Sequence, residues 1–235
     1  IRKKVLGEDH TYYKNTLHNI KYPCNRLGDE LFDNGKYSDA LYAYSELDDY
    51  LTDVEDDDYA YIYKKKSMCY WRMGSYDKAI ECGMRSSVST SIIYGDESIE
   101  YAESIRHMIN VFAEIGNYDV ALELGNTVLC IYEKNDINDK FNIYASMASL
   151  YDNIGDYKSS VKMYDKAISI IKQNGNMMAY SAILNNMSNS FFLHRKYKNA
   201  IKYGKKALEC KAQIMGEKHE EYIISLLNLA QIYQK

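Results

Sequence analysis

The sequence contains a single proline, Pro23, in 235 residues. Average usage would place roughly a dozen in a chain of this length. Proline lacks a backbone N–H and its ring clashes with the preceding helical turn, so the interior of a helix excludes it. Its scarcity therefore predicts an almost entirely α-helical protein. The hydrophobic fraction of 46% provides enough apolar side chains for a sizeable core.

The chain also lacks a surplus of positive charge and any long apolar run. The net charge is -4, whereas a nucleic-acid interface needs an excess of Lys and Arg. No run of 18 apolar residues occurs, so we expect no membrane-spanning helix. The 25 tyrosines could stack on bases, but many recur at fixed places along the chain, which favours packing between helices.

Paired cysteines are absent as well. The five cysteines are odd in number, no Cys-x-x-Cys pair occurs, and none stands at zinc-ligand spacing from a histidine. This pattern predicts free thiols in a cytoplasmic protein without a metal or other cofactor. The chain begins at Ile1 without a signal-peptide pattern, so any targeting signal would lie outside this sequence.

The most prominent feature of the sequence is an internal repeat. The tripeptide Gly-x-Tyr occurs four times, at Gly35, Gly74, Gly116 and Gly155, in steps of 39, 42 and 39 residues. A fifth copy, 40 residues later, has Arg195 instead of the glycine. Three residues after each tyrosine stands a small residue, and these are Ala40, Ala79, Ala121, Ser160 and Ala200. So regular a period predicts a repeat protein.

Each copy has the pattern of two helices joined by a short turn. Apolar residues precede the turn at helical spacing, and a second amphipathic run follows it. Glycine supplies the left-handed conformation that ends the first helix. The small residue lets the two helices approach closely, and so short a turn makes them antiparallel. Because Pro23 lies in the first helix of the first copy, we expect a kink or a split helix near Tyr22–Cys24.

The pattern resembles the tetratricopeptide repeat in "GDELFDNGKYSDA", "SMCYWRMGSYDKA" and "ASLYDNIGDYKSS". The usual repeat has about 34 residues, and the longer period here, near 41, is similar to the kinesin-light-chain type. HEAT repeats share this period but do not explain Gly-x-Tyr-x-x-Ala. The resemblance implies an all-α, right-handed superhelical solenoid of antiparallel helix pairs. It predicts repeats over 21–57, 58–97, 98–137, 138–177 and 178–218, preceded by the end of a repeat (1–20) and followed by a first helix (219–235).

Two similar stretches, "GEDH" at Gly7 and "GEKH" at Gly216, could be read as halves of a catalytic or metal site. They are 209 residues apart, which is five repeat lengths, so a stacked array would keep His10 and His219 apart. We interpret them as joints between repeats, where His10, Ser98 and His219 begin a helix and engage free backbone N–H groups. Because the pattern begins and ends inside a repeat, we expect the sequence to be part of a longer array.

The sequence contains no other motif with the residue spacing of a metal-binding or catalytic site. The acidic run from Asp53 to Tyr59 lacks the glycine and glutamate that a calcium-binding EF-hand loop requires. No Gly-x-Ser-x-Gly, His-Glu-x-x-His or phosphate-loop pattern occurs. We therefore expect a protein that is not an enzyme.

The resemblance places binding residues on the concave face, which the first helix of each pair would line. Counting back from each turn by 13, 10, 6, 3 and 2 residues yields many polar amides, charges and aromatic rings. Amides suit a peptide backbone, and aromatic residues suit its side chains. The predicted peptide-binding residues are Asn25, Asp29, Lys64, Met68, Trp71, Arg72, Arg106, Asn110, Ser149, Asn153, Asn185 and Asn189.

The leading hypothesis is a scaffold for protein–protein interaction that binds a peptide segment of its partner in a concave groove. The alternative is a sensory or regulatory module of a larger signalling protein whose output domain lies outside this sequence. Incomplete terminal repeats would also expose apolar residues such as Ile224, Leu227 and Leu229, so self-association is a further expectation.

Overall fold

The structure is a computed structural model that describes residues 11–51, 54, 56–138 and 140–234, with side chains from residue 19 onward except residue 49. His10 and Asp53 lie outside these residues. The described residues form α-helices, one 3-10 turn at Asp48–Tyr50 and short connections, without a β-strand. The all-α prediction is confirmed. The helices are α1 (Thr11–Asp33), α2 (Tyr37–Ser45), α3 (Asp57–Arg72), α4 (Tyr76–Tyr94), α5 (Ile99–Ile105), α6 (Met108–Glu114), α7 (Tyr118–Lys134), α8 (Phe141–Ile154), α9 (Tyr157–Asn174), α10 (Met177–Leu193), α11 (Tyr197–Met215) and α12 (Glu220–Tyr233).

The repeat pattern positions the second helix of each pair. The five repeat tyrosines are the first residues of α2, α4, α7, α9 and α11. The small residue three places later is fully buried in every copy, from Ala40 to Ala200. A side chain with no more than one heavy atom beyond Cβ lets the neighbouring backbone come close, and this is the physical reason for the Tyr-x-x-Ala spacing.

The turns depend on backbone conformation. Gly35, Gly74, Gly116 and Gly155 all have positive φ, between 74° and 86°. Arg195 takes the same place with φ 57°. Its N–H donates to the carbonyl of Phe192 at 3.0 Å, as the N–H of Gly155 does to that of Asp152 at 3.1 Å. The fifth turn therefore keeps the geometry of the others without the residue that suits it.

The chain divides into two compact units, residues 1–117 and 118–235. In the first unit, the pairs α1/α2 and α3/α4 pack together, and α4 also contacts α5 and α6. In the second unit, α8 packs on α9 and α10 on α11, and α12 rests on α11. The helices of the second unit approach closely at Gly204 of α11, where an added Cβ would lie 2.9 Å from Leu229 of α12 and 3.0 Å from Ser188 of α10.

Two features of the first unit differ from expectation. Helix α1 runs continuously from Thr11 to Asp33 with Pro23 inside it, so the helix is not split there, and a kink near Tyr22–Cys24 stays a prediction. An interruption occurs instead at Arg106–His107, between α5 and α6. There the His107 ring is buried, and its Nε2 lies 2.7 Å from Ser67 Oγ, which donates to the carbonyl of Ala79. Ser67 Oγ therefore accepts a hydrogen bond from Nε2–H of a neutral imidazole.

Candidate functional site

The predicted binding residues lie on or beside the first helices. Arg106 is an exception, because it occupies the turn between α5 and α6 rather than a helix. Half of the set is exposed and half is partly buried. The exposed residues are Arg72, Arg106, Asn110, Ser149, Asn153 and Asn189, and the partly buried ones are Asn25, Asp29, Lys64, Met68, Trp71 and Asn185.

The first unit contains a cleft of about 470 Å³, which we call the α3/α5 cleft. Helices α3 and α5 form its walls, and α4, the second helix between them, forms its floor. Its lining is largely apolar, with Lys64 as the one cation. The residues that line it are Asp57, Ala60, Tyr61, Lys64, Ser86, Thr90, Tyr94, Ile99, Glu100, Glu103 and Ser104.

The side chain of Lys64 is partly removed from water in this cleft. Burial lowers the pKa of Lys64, and the charge of Glu103 opposes that shift. Between two lining residues, the hydroxyl of Tyr94 donates a hydrogen bond of 2.6 Å to the carboxylate of Asp57. The cleft thus combines apolar walls with an ammonium group and several carboxylates, and it suits a ligand that carries both polar and apolar groups.

The second unit contains a smaller cleft of about 230 Å³, which we call the α8/α10 pocket. It is built in the same way, with α8 and α10 as walls and α9 as the floor. Three predicted binding residues line it, namely Ser149, Asn153 and Asn189. The other lining residues are Asp152, Tyr164, Asn186, Ser190 and Leu193.

A buried carboxylate lies in the α8/α10 pocket. The side chain of Asp152 is only 6% exposed. Its Oδ1 accepts a hydrogen bond from Ser190 Oγ at 2.7 Å and lies 3.2 Å from His194 Nε2. Its Oδ2 has a longer contact of 3.4 Å with the hydroxyl of Tyr164. Burial raises the pKa of Tyr164 to about 12, so this phenol stays a neutral donor at physiological pH.

The remaining predicted residues are not brought together. Asp29 is held inside the first unit, where it accepts hydrogen bonds from Tyr44 and Tyr61 and pairs with Lys65 at 2.8 Å. Although burial acts to raise it, these hydrogen bonds hold the pKa of Asp29 below its usual range. The guanidinium of Arg72 lies over the Trp71 ring, 4.4 Å from its centroid.

Arg106 is engaged locally, since it forms an ion pair of 2.9 Å with Glu103. Sequence reasoning took neither Asn186 nor Tyr164 as a binding residue. Asn186 lies one residue after Asn185, a position chosen by the repeat count, and it lines the pocket together with Asn189 and Ser190. Its helical spacing of three residues from Asn189 could have identified it. Tyr164 belongs to α9, a second helix, whereas the predicted positions belong to first helices.

The joints between repeats have the predicted local role. The hydroxyl of Ser98 accepts a hydrogen bond from the N–H of Tyr101 at 3.1 Å. Likewise, Nδ1 of His219 accepts one from the N–H of Glu221 at 3.2 Å. Both side chains therefore cap helices. Among the described residues, no three His, Cys, Asp or Glu side chains are grouped as metal ligands would be.

The last helix presents an apolar face. Ile224 and Leu227 are exposed, at 49% and 59%. The expectation for Leu229 is wrong, because it is buried at 6% against Gly204 of α11. Within the part of the chain that the structure describes, no helix combines the length and the apolarity needed to cross a bilayer.

Family models of the tetratricopeptide repeat match residues 60–85, 141–174 and 181–221. No curated protein matches the sequence. The structure is similar to the crystal structure of the Podosopora anserina kinesin light chain nearly identical TPR-like repeats, with a TM-score of 0.71 and 13% identity over 83% of this chain and 97% of that one.

Two further solved structures have the same fold. The apo form of RapI matches with a TM-score of 0.71 and 16% identity, over 90% of this chain and 83% of RapI. The Pyrococcus horikoshii signal transduction ATPase with numerous domains, which has a tetratricopeptide repeat sensor, matches with a TM-score of 0.73 and 15% identity. That match covers 90% of this chain and 31% of the ATPase.

The repeat pattern, the helix pairs and these comparisons agree. Tetratricopeptide repeats are typically non-catalytic modules for protein–protein interaction, and the structure has the helix-pair architecture of such a scaffold. The handedness of the superhelix stays a prediction. This chain is a tetratricopeptide-repeat protein, with the long repeat that its Gly-x-Tyr spacing predicts.

Proposed function

We propose that the protein is a non-enzymatic scaffold that binds an extended peptide segment of a partner protein along its first helices. The observation that carries this proposal is the common construction of the α3/α5 cleft and the α8/α10 pocket. In each unit, two first helices form the walls and the second helix between them forms the floor. Clefts that recur along the chain suit a ligand whose chemical groups also recur along its length, and a polypeptide is the most common ligand of this kind.

The chemistry of the lining supports a peptide. Asn153, Asn186 and Asn189 are exposed at the α8/α10 pocket. Each carboxamide has two donors and one acceptor, the same groups that a peptide backbone requires. The apolar walls beside Tyr61 and Ile99 in the α3/α5 cleft would take apolar side chains of the peptide. A cytoplasmic site of action and self-association through α12 are further proposals, based on the cysteine pattern and on exposed residues such as Leu227.

The test is selection from a random peptide library displayed on phage, followed by fluorescence polarisation with the selected peptide. We expect Asn153→Ala combined with Asn189→Ala to weaken binding about tenfold or more, since two or more hydrogen bonds of about 1 kcal/mol each are lost. Asn126→Ala is the matched control, because Asn126 is an exposed amide on α7, a second helix. If no peptide is enriched, or if the double variant binds as tightly as the wild type, the proposal is wrong.

A further inference from the structure

We infer that the α8/α10 pocket accepts a basic side chain, lysine or arginine, from the bound peptide. This inference rests on the proposed function and specifies which peptides fit it. A carboxylate, that of Asp152, lines this pocket while most of its surface is removed from water. The size, the charge and the unsatisfied hydrogen bonding of the pocket each support a basic side chain.

The size favours one long side chain. The pocket volume of about 230 Å³ is below the range of roughly 300–1,000 Å³ that is typical of small-molecule sites. It is several times the volume of a water molecule, about 30 Å³. A lysine or arginine side chain can extend between α8 and α10 while its backbone stays at the rim, near the amides of Asn153 and Asn189.

The charge favours a cation. Asp152 is the only Asp, Glu, Lys or Arg among the lining residues, so the pocket has one negative charge and no permanent positive one. A carboxylate shielded from water is costly unless a cation or several hydrogen bonds stabilise it. An anionic ligand would be repelled by Asp152. The lining has one exposed aliphatic residue, Leu193, so a purely apolar ligand would leave the amides without partners.

The hydrogen bonds leave one oxygen available. Oδ1 of Asp152 already faces Ser190 Oγ and His194 Nε2, at 2.7 and 3.2 Å. Oδ2 faces only the Tyr164 hydroxyl among its hydrogen-bond contacts with described residues, at 3.4 Å. That distance exceeds the usual 2.5–3.0 Å of an O–H···O bond, so Oδ2 keeps most of its capacity as an acceptor. A charged N–H donor is the partner that binds a carboxylate most strongly.

A metal ion fits this pocket less well than a basic side chain. Around Asp152 the possible ligands are two serine hydroxyls, a phenol and the His194 ring, and the described residues offer no second carboxylate there. Divalent hard cations generally require several oxygen ligands, with carboxylates prominent among them. An ammonium or guanidinium group needs only one carboxylate and neutral acceptors, which the Asn and Ser oxygens provide.

The peptide library also tests this inference. Peptides selected on the wild type should share one Lys or Arg at a fixed position. Asp152→Asn should weaken their binding at least about thirtyfold and should lose the basic preference, because the buried charge pair is broken. Peptides without a basic residue that still depend on Asn153 and Asn189 would overturn the pocket assignment and leave the proposed function intact.

Because Asp152→Asn could disturb folding, a second pair of variants changes only the surface. Leu193 is 66% exposed at the pocket rim. Leu193→Lys should weaken a basic peptide and Leu193→Glu should strengthen it, each about two- to fivefold and less at high salt. Equal effects of the two substitutions would overturn the inference.

A probe of a single capped amino acid separates the two hypotheses further. N-acetyl-lysine methylamide, titrated to millimolar concentration, should shift the side-chain amide NMR signals of Asn153 and Asn189, whereas N-acetyl-norleucine methylamide should not. The same shifts from both compounds, or from neither, count against the basic-side-chain pocket. If lysine alone shifts these signals but no library peptide is enriched, the pocket inference stands and the proposed peptide scaffold fails.

Discussion

Arg195 provides a sharp test of how the repeat turns work. It is a non-glycine residue with φ 57° at a position where the other copies have glycine. The left-handed conformation costs an L-residue about 1–2 kcal/mol. Glycine avoids this strain but loses more backbone entropy on folding, about 0.5–1 kcal/mol. Since Arg195 is exposed and its side chain makes no hydrogen bond or ion pair with the described residues, Arg195→Gly should stabilise the protein by about 0.5–1 kcal/mol.

The measurement is urea unfolding followed by circular dichroism, together with thermal melting. For a chain of this size the expected rise in melting temperature is about 1–4 °C. Two controls address the mechanism. Gly155→Arg, at φ 86° with open space around the Cβ position, should destabilise by a similar amount. Lys196→Gly, at φ -91°, should not stabilise. If Arg195→Gly is neutral or destabilising while Gly155→Arg is tolerated, the positive φ of the turn is not the reason that glycine occupies this position in the other repeats.

Two further predictions concern burial. Burial, with a smaller effect from Lys64, lowers the pKa of His107 to about 4 from 6.5, so the unfolded chain binds an extra proton between these values. The free energy of unfolding should therefore be highest above pH 6.5 and fall by about 3 kcal/mol as the pH drops to 4. Urea unfolding of His107→Gln should show a flatter dependence over this window, and equal slopes would refute the assignment. Gly204→Ala should destabilise by about 1–3 kcal/mol, because its Cβ would meet Leu229 and Ser188, although alanine is the better helix former. A neutral or stabilising effect of Gly204→Ala in urea unfolding would contradict the packing argument.

Much of the fold could be predicted because it repeats. A single turn with a Gly is weak information, but five copies at one period make the helix pairs, the turn positions and the buried small residues mutually consistent. The break at Arg106–His107 could not be predicted, since its sequence has good helix-forming apolar spacing. It depends on where the buried His107 ring meets Ser67, which is 40 residues away in the chain.

The candidate site was less predictable than the fold. The repeat count found Ser149, Asn153 and Asn189 because they share one face of the first helices. It also chose Asp29, whose carboxylate is used internally by Tyr44 and Tyr61. Whether a polar side chain faces a ligand or a neighbouring helix depends on residues 15 to 32 positions away in the chain. Periodicity alone cannot distinguish these outcomes.

The sequence by itself determined the helix pairs, their period and the family, because those follow from local backbone preferences and from spacing along one chain. Only the tertiary structure decided which carboxylates are occupied and which remain available. Asp29 and Asp152 both lie on first helices, yet the first is surrounded by Lys65 and two phenols and the second lines the α8/α10 pocket. The difference arises from side chains on adjacent helices, whose approach is fixed by packing rather than by local sequence.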